Sequence, residues 1–314
     1  MMGRRTPILA VALPILVHAA SGHQSQAASG HQAPSFRAET RLVVLHATVR
    51  DSRGELITNL PRSAFAVFEN GQRQPVTLFR RDDIPVSLGL LIDNSGSMRP
   101  VRSKVESAAL AFARASNPLD EMFVLNFADK ARIDVPFTRD VRVLEAGIAR
   151  ADSIGGTAMH DAVDLAEAYL REHAVYDRRV LLVITDGIDN ASVATTERIR
   201  QQAERFDTAI YAVGLFGNDD QARTKRGRHE LEQLTARTGG VPYFPSSLDR
   251  VDEVVLDIAR QIRNQYTIAY APVNQALDGS YRSIRVTATG AERYVVRTRS
   301  GYRAVIQNPQ PPGS

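Results

Sequence analysis

The chain has no cysteine and no tryptophan, and aromatic residues make up only 6% of its 314 positions. Without cysteine there can be no disulfide, and an export leader cannot be lipidated. Stability must then come from core packing, with help from a bound ion at most. Nor is there a block of Lys and Arg of the kind that marks a nucleic-acid footprint. The net charge of +4 comes from 39 basic against 35 acidic residues. Removing a leader that contains Arg4 and Arg5 would lower it to 37 against 35, or +2. After the N-terminus no stretch approaches the roughly 20 apolar residues that a membrane span needs. A phosphate-binding Gly-x-x-x-x-Gly-Lys-Ser/Thr loop, a Gly-x-Ser-x-Gly elbow and a His-Glu-x-x-His helix are all missing. His160 has no base–nucleophile pairing in view, and neither Ser95 nor Ser97 has an evident general base. The chain is therefore expected not to be an enzyme.

What is there begins with an export signature. Positive charge at Met1–Arg5 precedes a ten-residue apolar run, Ile8–Val17. Small residues follow, so cleavage is expected near Ala19 or Ala20. Residues 1–20 read as a signal peptide and 21–35 as a flexible polar linker. The mature chain is expected to be extracytoplasmic, periplasmic or secreted. A tail at 307–314 is expected to be disordered.

Periodicity then divides the rest. Val43, Leu45, Ala47 and Val49 alternate with Leu42, Val44, His46 and Thr48, which is a strand pattern ending at Asp51-Ser52-Arg53-Gly54. Ala64–Glu69 and Gln74–Arg80 flank Asn70-Gly71, a hairpin signal because both turn residues tolerate positive φ. From 86 to 263 apolar strands alternate with helical periods. This predicts an α/β unit with a mostly parallel, Rossmann-like sheet flanked by helices. Helices are expected near 101–115, 140–151, 158–173, 195–206, 229–238 and 250–263. Strand patterns return at 265–271, 282–288 and 294–298. Either β segment alone would be marginal. The expected organisation is therefore one discontinuous β-sandwich-like domain, from 36–84 and 265–306, with the α/β domain 85–264 inserted in it.

The chemistry sits at strand ends. Asp93-Asn94-Ser95-Gly96-Ser97 follows the apolar strand Val86–Ile92, and its short oxygen-bearing side chains at alternate positions suit a small hard cation. Gly155-Gly156-Thr157 offers a hydroxyl on a flexible loop. Thr185-Asp186-Gly187 ends a second buried strand with a carboxylate. Ligands of open parallel sheets sit outside the carboxyl ends of the strands.

In this order, Asp-x-Ser-x-Ser, Gly-Gly-Thr and Thr-Asp-Gly resemble the metal-ion-dependent adhesion site of von Willebrand factor type A domains. The resemblance covers roughly 85–265. It is similar to that of exported bacterial proteins carrying such domains. The resemblance implies that Ser95, Ser97 and Thr157 ligate the ion through hydroxyls, and that Asp93 and Asp186 hold it directly or through water. It implies a divalent cation, Mg²⁺ ahead of Mn²⁺ or Ca²⁺. It further implies a protein partner that offers an Asp or Glu carboxylate to an open coordination position. Asp161 is expected either to support the site from behind or to face the helix dipole. Asp189 is expected either to reach a second cation or to cap its turn. The charged stretch Phe216–Arg228, with Asp219, Asp220, Arg223, Lys225, Arg226 and Arg228, reads as a solvated loop or as a partner-selecting rim. Two alternatives stay open: a structural ion with binding by the β domain, and a metal-assisted hydrolase.

Overall fold

Alternation in the first strand has a direct consequence: one face of β1 (Val43–Arg50) is apolar and must be covered. A computed structural model describes residues 41–149, 154–217, 220–290 and 293–305. The expected signal peptide, the linker and the tail lie outside these residues. The partners of β1 come from the far end of the chain. It pairs antiparallel with β11 (Tyr266–Tyr270) and β13 (Val295–Arg297), and β4 (Val76–Arg80) lies on the other side of β11. A second antiparallel sheet has the order β14 (Gly301–Arg303), β12 (Tyr281–Ala288), β2 (Phe65–Glu69), β3 (Gln72–Gln74). Val43, Leu45, Ala47, Val49, Tyr266, Ile268 and Tyr270 from the first sheet share one buried cluster with Phe65, Val67, Ile284, Val286 and Tyr302 from the second. Each sheet thus takes strands from both flanks of the α/β segment.

The hairpin at Asn70-Gly71 forms with both turn residues at positive φ, 48° and 80°. Its second arm is shorter than the pattern of Gln74–Arg80 suggests. Pro75 has no N–H to donate to a ladder, so the strand breaks there. β3 pairs with β2 and β4 crosses to the other sheet.

The α/β unit is a six-stranded sheet in the order β10 (Pro242–Tyr243), β9 (Thr208–Gly214), β8 (Arg179–Thr185), β5 (Ser87–Asp93), β6 (Glu121–Phe127), β7 (Ala131–Thr138). All neighbours are parallel except the antiparallel edge pair β6 and β7. Both faces of the sheet are buried, which is why β5 and β8 read as unbroken apolar runs. Leu88, Leu90 and Ile92 face one layer of helices: α1 (Arg102–Ala115), α2 (Val141–Ile148) and α6 (Val251–Arg263). Leu91, Phe123 and Leu125 face the other: α3 (Met159–His173), α4 (Thr196–Arg205) and α5 (Gln221–Thr235). The helices bury stripes at helical spacing, such as Val105, Ala108, Ala109 and Phe112 in α1. At Gly89 a Cβ would lie 2.4 Å from the Phe123 ring, so the absence of a side chain there lets the two strands carry that ring between them.

α6 leads directly into β11, and Gln265 marks the seam. Its amide donates to Thr48 Oγ1 on β1 and to Tyr211 OH on β9, each at 3.1 Å. No helix among the described residues is long and apolar enough to cross a membrane.

Candidate metal centre

Three loops meet at the carboxyl ends of β5 and β8. Asp93 closes β5 and is only 1% exposed. Its Oδ1 accepts from the Ser95 amide at 2.8 Å, and its Oδ2 accepts from the Thr185 hydroxyl at 2.5 Å. The Ser95 and Ser97 hydroxyls lie 3.1 Å apart, and Ser97 Oγ donates to Asp186 Oδ1 at 2.8 Å. The Gly96 amide donates to the Gly155 carbonyl at 3.2 Å, which brings in the loop that carries Thr157. At Gly187 a Cβ would sit 3.0 Å from Thr157 Oγ1, so this glycine lets the Thr157 hydroxyl close over the residue after Asp186. Asp93, Ser95, Ser97, Thr157 and Asp186 are thus gathered in one place from three loops.

The electrostatics of this place are those of negative charge short of compensation. Burial pushes the Asp93 carboxyl up to about 6, against the Thr185 and Ser95 hydrogen bonds that lower it, and the charge of Asp186 adds to the rise. Burial also raises Asp186, opposed by the Ser97 hydrogen bond and by the charge of Arg223. Two desolvated carboxylates beside three hydroxyls, with no nitrogen or sulfur donor among them, fit a small hard divalent cation. A softer ion would find none of its preferred ligands there.

The surrounding residues hold the loops. Asp161, at the start of α3, accepts from the amides of Val193 and Ala194, the latter at 2.7 Å. Asp189 accepts from the His160 amide at 2.7 Å and from the Ser192 hydroxyl at 2.5 Å. Both carboxylates therefore tie the loop after Asp186 to α3. Asp189 caps its turn and also lies 3.2 Å from His160 Nδ1, while His160 Nε2 lies 3.3 Å from Glu230 on α5. These three side chains keep their ligand-type atoms within 4.8 Å of one another. Burial lowers His160, and it pushes Glu230 up to about 7 with help from Asp189.

Several supporting residues carry no mark in the sequence. Asp129 Oδ1 accepts from the Gly156 amide at 2.6 Å, and Asn190 Oδ1 accepts from the Thr157 amide at 2.8 Å. Asn94 bridges Arg102 and Asn126, at 2.8 and 2.7 Å. Asn94 and Thr185 lie inside the Asp-x-Ser-x-Ser and Thr-Asp-Gly runs and Asn190 adjoins Asp189, but the spacing assigns none of them a supporting role.

The charged stretch after β9 differs from its reading as a long loop. Asp219 lies outside the described residues. Asp220 is the N-cap of α5, accepting from the Arg223 amide at 2.9 Å. Arg223, Lys225, Arg226 and Arg228 are therefore helical, and α5 begins eight residues before the expected 229. Asp, Asn, Ser and Thr at this position satisfy orphan amides of the first turn, so the cap overrides the helix-weakening Gly227. That glycine is needed for a close approach: a Cβ there would meet the Phe216 ring at 2.4 Å.

Comparison with known proteins agrees with this architecture. The family model described as von Willebrand factor type A domain matches residues 88–188. A von Willebrand factor type A structure from Catenulispora acidiphila is 12% identical, with a TM-score of 0.50, covering 86% of this chain and 75% of its own. An aerotolerance-related membrane protein from Bacteroides fragilis is 17% identical over 56% of this chain and 98% of its own, with a TM-score of 0.46. Proximal thread matrix protein 1 from the mussel byssus, solved with a zinc-occupied adhesion motif, is 15% identical over 58% of this chain and 48% of its own, with a TM-score of 0.44. No curated protein sequence matches the chain.

Proposed function

Starting from a chain that carries a von Willebrand factor type A domain, we propose that it is an exported, metal-dependent protein-binding module that captures an acidic side chain of a partner protein. The observation that carries this reading is the convergence of Asp93, Ser95, Ser97, Thr157 and Asp186 from three loops onto one sheet edge. The all-oxygen donor set favours Mg²⁺, with Mn²⁺ and Ca²⁺ as alternatives. When bound, such an ion supplies an electrophile for an incoming carboxylate. The chain's own residues do the rest. Thr185 and the Ser95 amide orient Asp93, and Asp161 and Asp189 hold the loop that presents Asp186. Ser97 is exposed at the mouth, where a partner would meet the site. Arg223, whose charge already acts on Asp186, stands at the rim from α5 and would favour an acidic partner.

The test is capture by immobilised protein from an envelope extract in Mg²⁺. Capture is expected to disappear with EDTA and in Asp93→Ala. Undiminished capture under both conditions would refute the proposal.

A further inference from the structure

At the opposite end of β8 from Asp186, a small cavity of about 20 Å³ lies in the seam between the α/β unit and the β sandwich. It has room for one water-sized particle. Its walls include Arg178, Arg179 and Arg299, with Asp207 as the one carboxylate, together with His46 and Thr298.

The polar atoms there are unusually under-used. Nε of Arg178, Nε of Arg179, Nε of Arg299 and Oγ1 of Thr298 are all buried without a hydrogen-bond partner. They are four of the nine such side-chain atoms among the described residues, and all four belong to residues lining this one cavity. A buried donor left unpaired is disfavoured, and a guanidinium cannot escape by losing its proton.

Charge sharpens the point. Arg178 is 6% exposed, and its other nitrogens donate only to neutral acceptors: the Ile84 and Ile262 carbonyls and Gln265 Oε1. Arg299 donates to the Val44 carbonyl at 2.9 Å and pairs with Asp207 at 3.2 Å. Arg179 has no carboxylate within ion-pair distance among the described residues. Burial, with the fields of Arg178 and Arg299, pushes His46 down to about 3, so its imidazole stays neutral. In the cavity wall itself three guanidinium groups face one carboxylate, Asp207, while Asp120 and Asp83 act on Arg178, and Glu167 on Arg179, from outside it. Water would fill the space and satisfy some of the donors, but it would bring no negative charge to a wall that holds three guanidinium groups and one carboxylate.

We propose that this cavity binds a single monovalent anion of halide size, chloride in an ordinary salt solution, held by Arg178, Arg179, Arg299 and Thr298. The anion cross-links the two domains, because Arg178 and Arg179 belong to the α/β unit while Thr298 and Arg299 belong to the sandwich. It binds the folded chain only, so it raises the unfolding midpoint by mass action.

The experiment is thermal unfolding of the full chain in sodium chloride against sodium gluconate, at equal ionic strength and with Mg²⁺ constant. Chloride is expected to raise the midpoint by about 3–6 °C in a saturable way, and bromide to act alike. Thr298→Val, which changes one hydroxyl, is expected to reduce the chloride-specific increment by at least half, and Arg179→Gln to remove most of it. A bromide-soaked crystal should show an anomalous peak between the Arg178, Arg299 and Thr298 side chains. Equal midpoints in the two salts, an undiminished increment in both variants, or a cavity that contains only water would each overturn the proposal.

Discussion

The Thr185 hydroxyl donates a 2.5 Å hydrogen bond to Asp93 Oδ2, joining the ends of two neighbouring parallel strands across 92 positions of sequence. Asp93 is almost wholly buried, so this bond both satisfies an oxygen that water cannot reach and fixes where the other oxygen points. Thr185→Val keeps the shape and removes the donor. Divalent-ion affinity is expected to fall about 10–100-fold, the usual loss when a residue that orients a ligand is removed. Competition against Mn²⁺, followed by electron paramagnetic resonance, measures it. Unchanged affinity would mean that Thr185 serves packing alone.

Glu167 lies inside α3 at 1% exposure. Its Oε2 accepts from Thr208 at 3.0 Å, while Oε1 has no partner. Burial pushes its carboxyl up to about 7 from the ordinary 4.5, against the Thr208 bond and the charges of Arg171 and Arg179. A carboxyl whose folded value is raised disfavours folding once ionised. Its penalty is absent below pH 4.5, grows as the pH rises toward 7 and is then constant, at about 3 kcal/mol by linkage. Glu167→Gln is expected to flatten the dependence of the unfolding midpoint on pH between 5 and 8, and to raise the midpoint at pH 8. A slope unchanged from wild type would contradict this.

The sandwich draws on both flanks. β1 pairs with β11 and β13, and β2 pairs with β12. A chain ending at Asn264 would leave Val43, Leu45, Phe65 and Val67 without their covering strands. In that truncation, limited proteolysis with mass spectrometry is expected to remove 41–84 rapidly and to spare 85–264. A protease-resistant 41–84 segment would show that the N-terminal flank folds by itself.

How far the sequence could be read depended on how local each signal was. The helical layers and the parallel strands were legible because Leu88–Ile92 and Val180–Ile184 are apolar on both faces, a pattern that only a covered sheet explains. The convergence of Asp93, Ser95, Ser97, Thr157 and Asp186 on the proposed metal centre was legible because each belongs to a short run with its own spacing. Asp129 and Asn190 were not. Each holds a loop through a backbone amide about 30 residues away in sequence, and no spacing encodes that. The start of α5 was hidden for a different reason. Gly227 and the surrounding charges look like a loop until Phe216 is seen packed against the glycine. The cavity beside Arg178 was equally invisible, because its walls come from segments separated by up to 253 positions, from His46 to Arg299.

The most direct measurement is a calorimetric titration of Mg²⁺ or Mn²⁺ into the wild-type chain, Asp93→Ala and Asp186→Ala, with folding checked by circular dichroism. One ion per wild-type chain is expected, with affinity at least 100-fold weaker in either variant and an unchanged spectrum. Equal binding by all three proteins, or no binding by the wild type, would contradict a metal centre built from these residues.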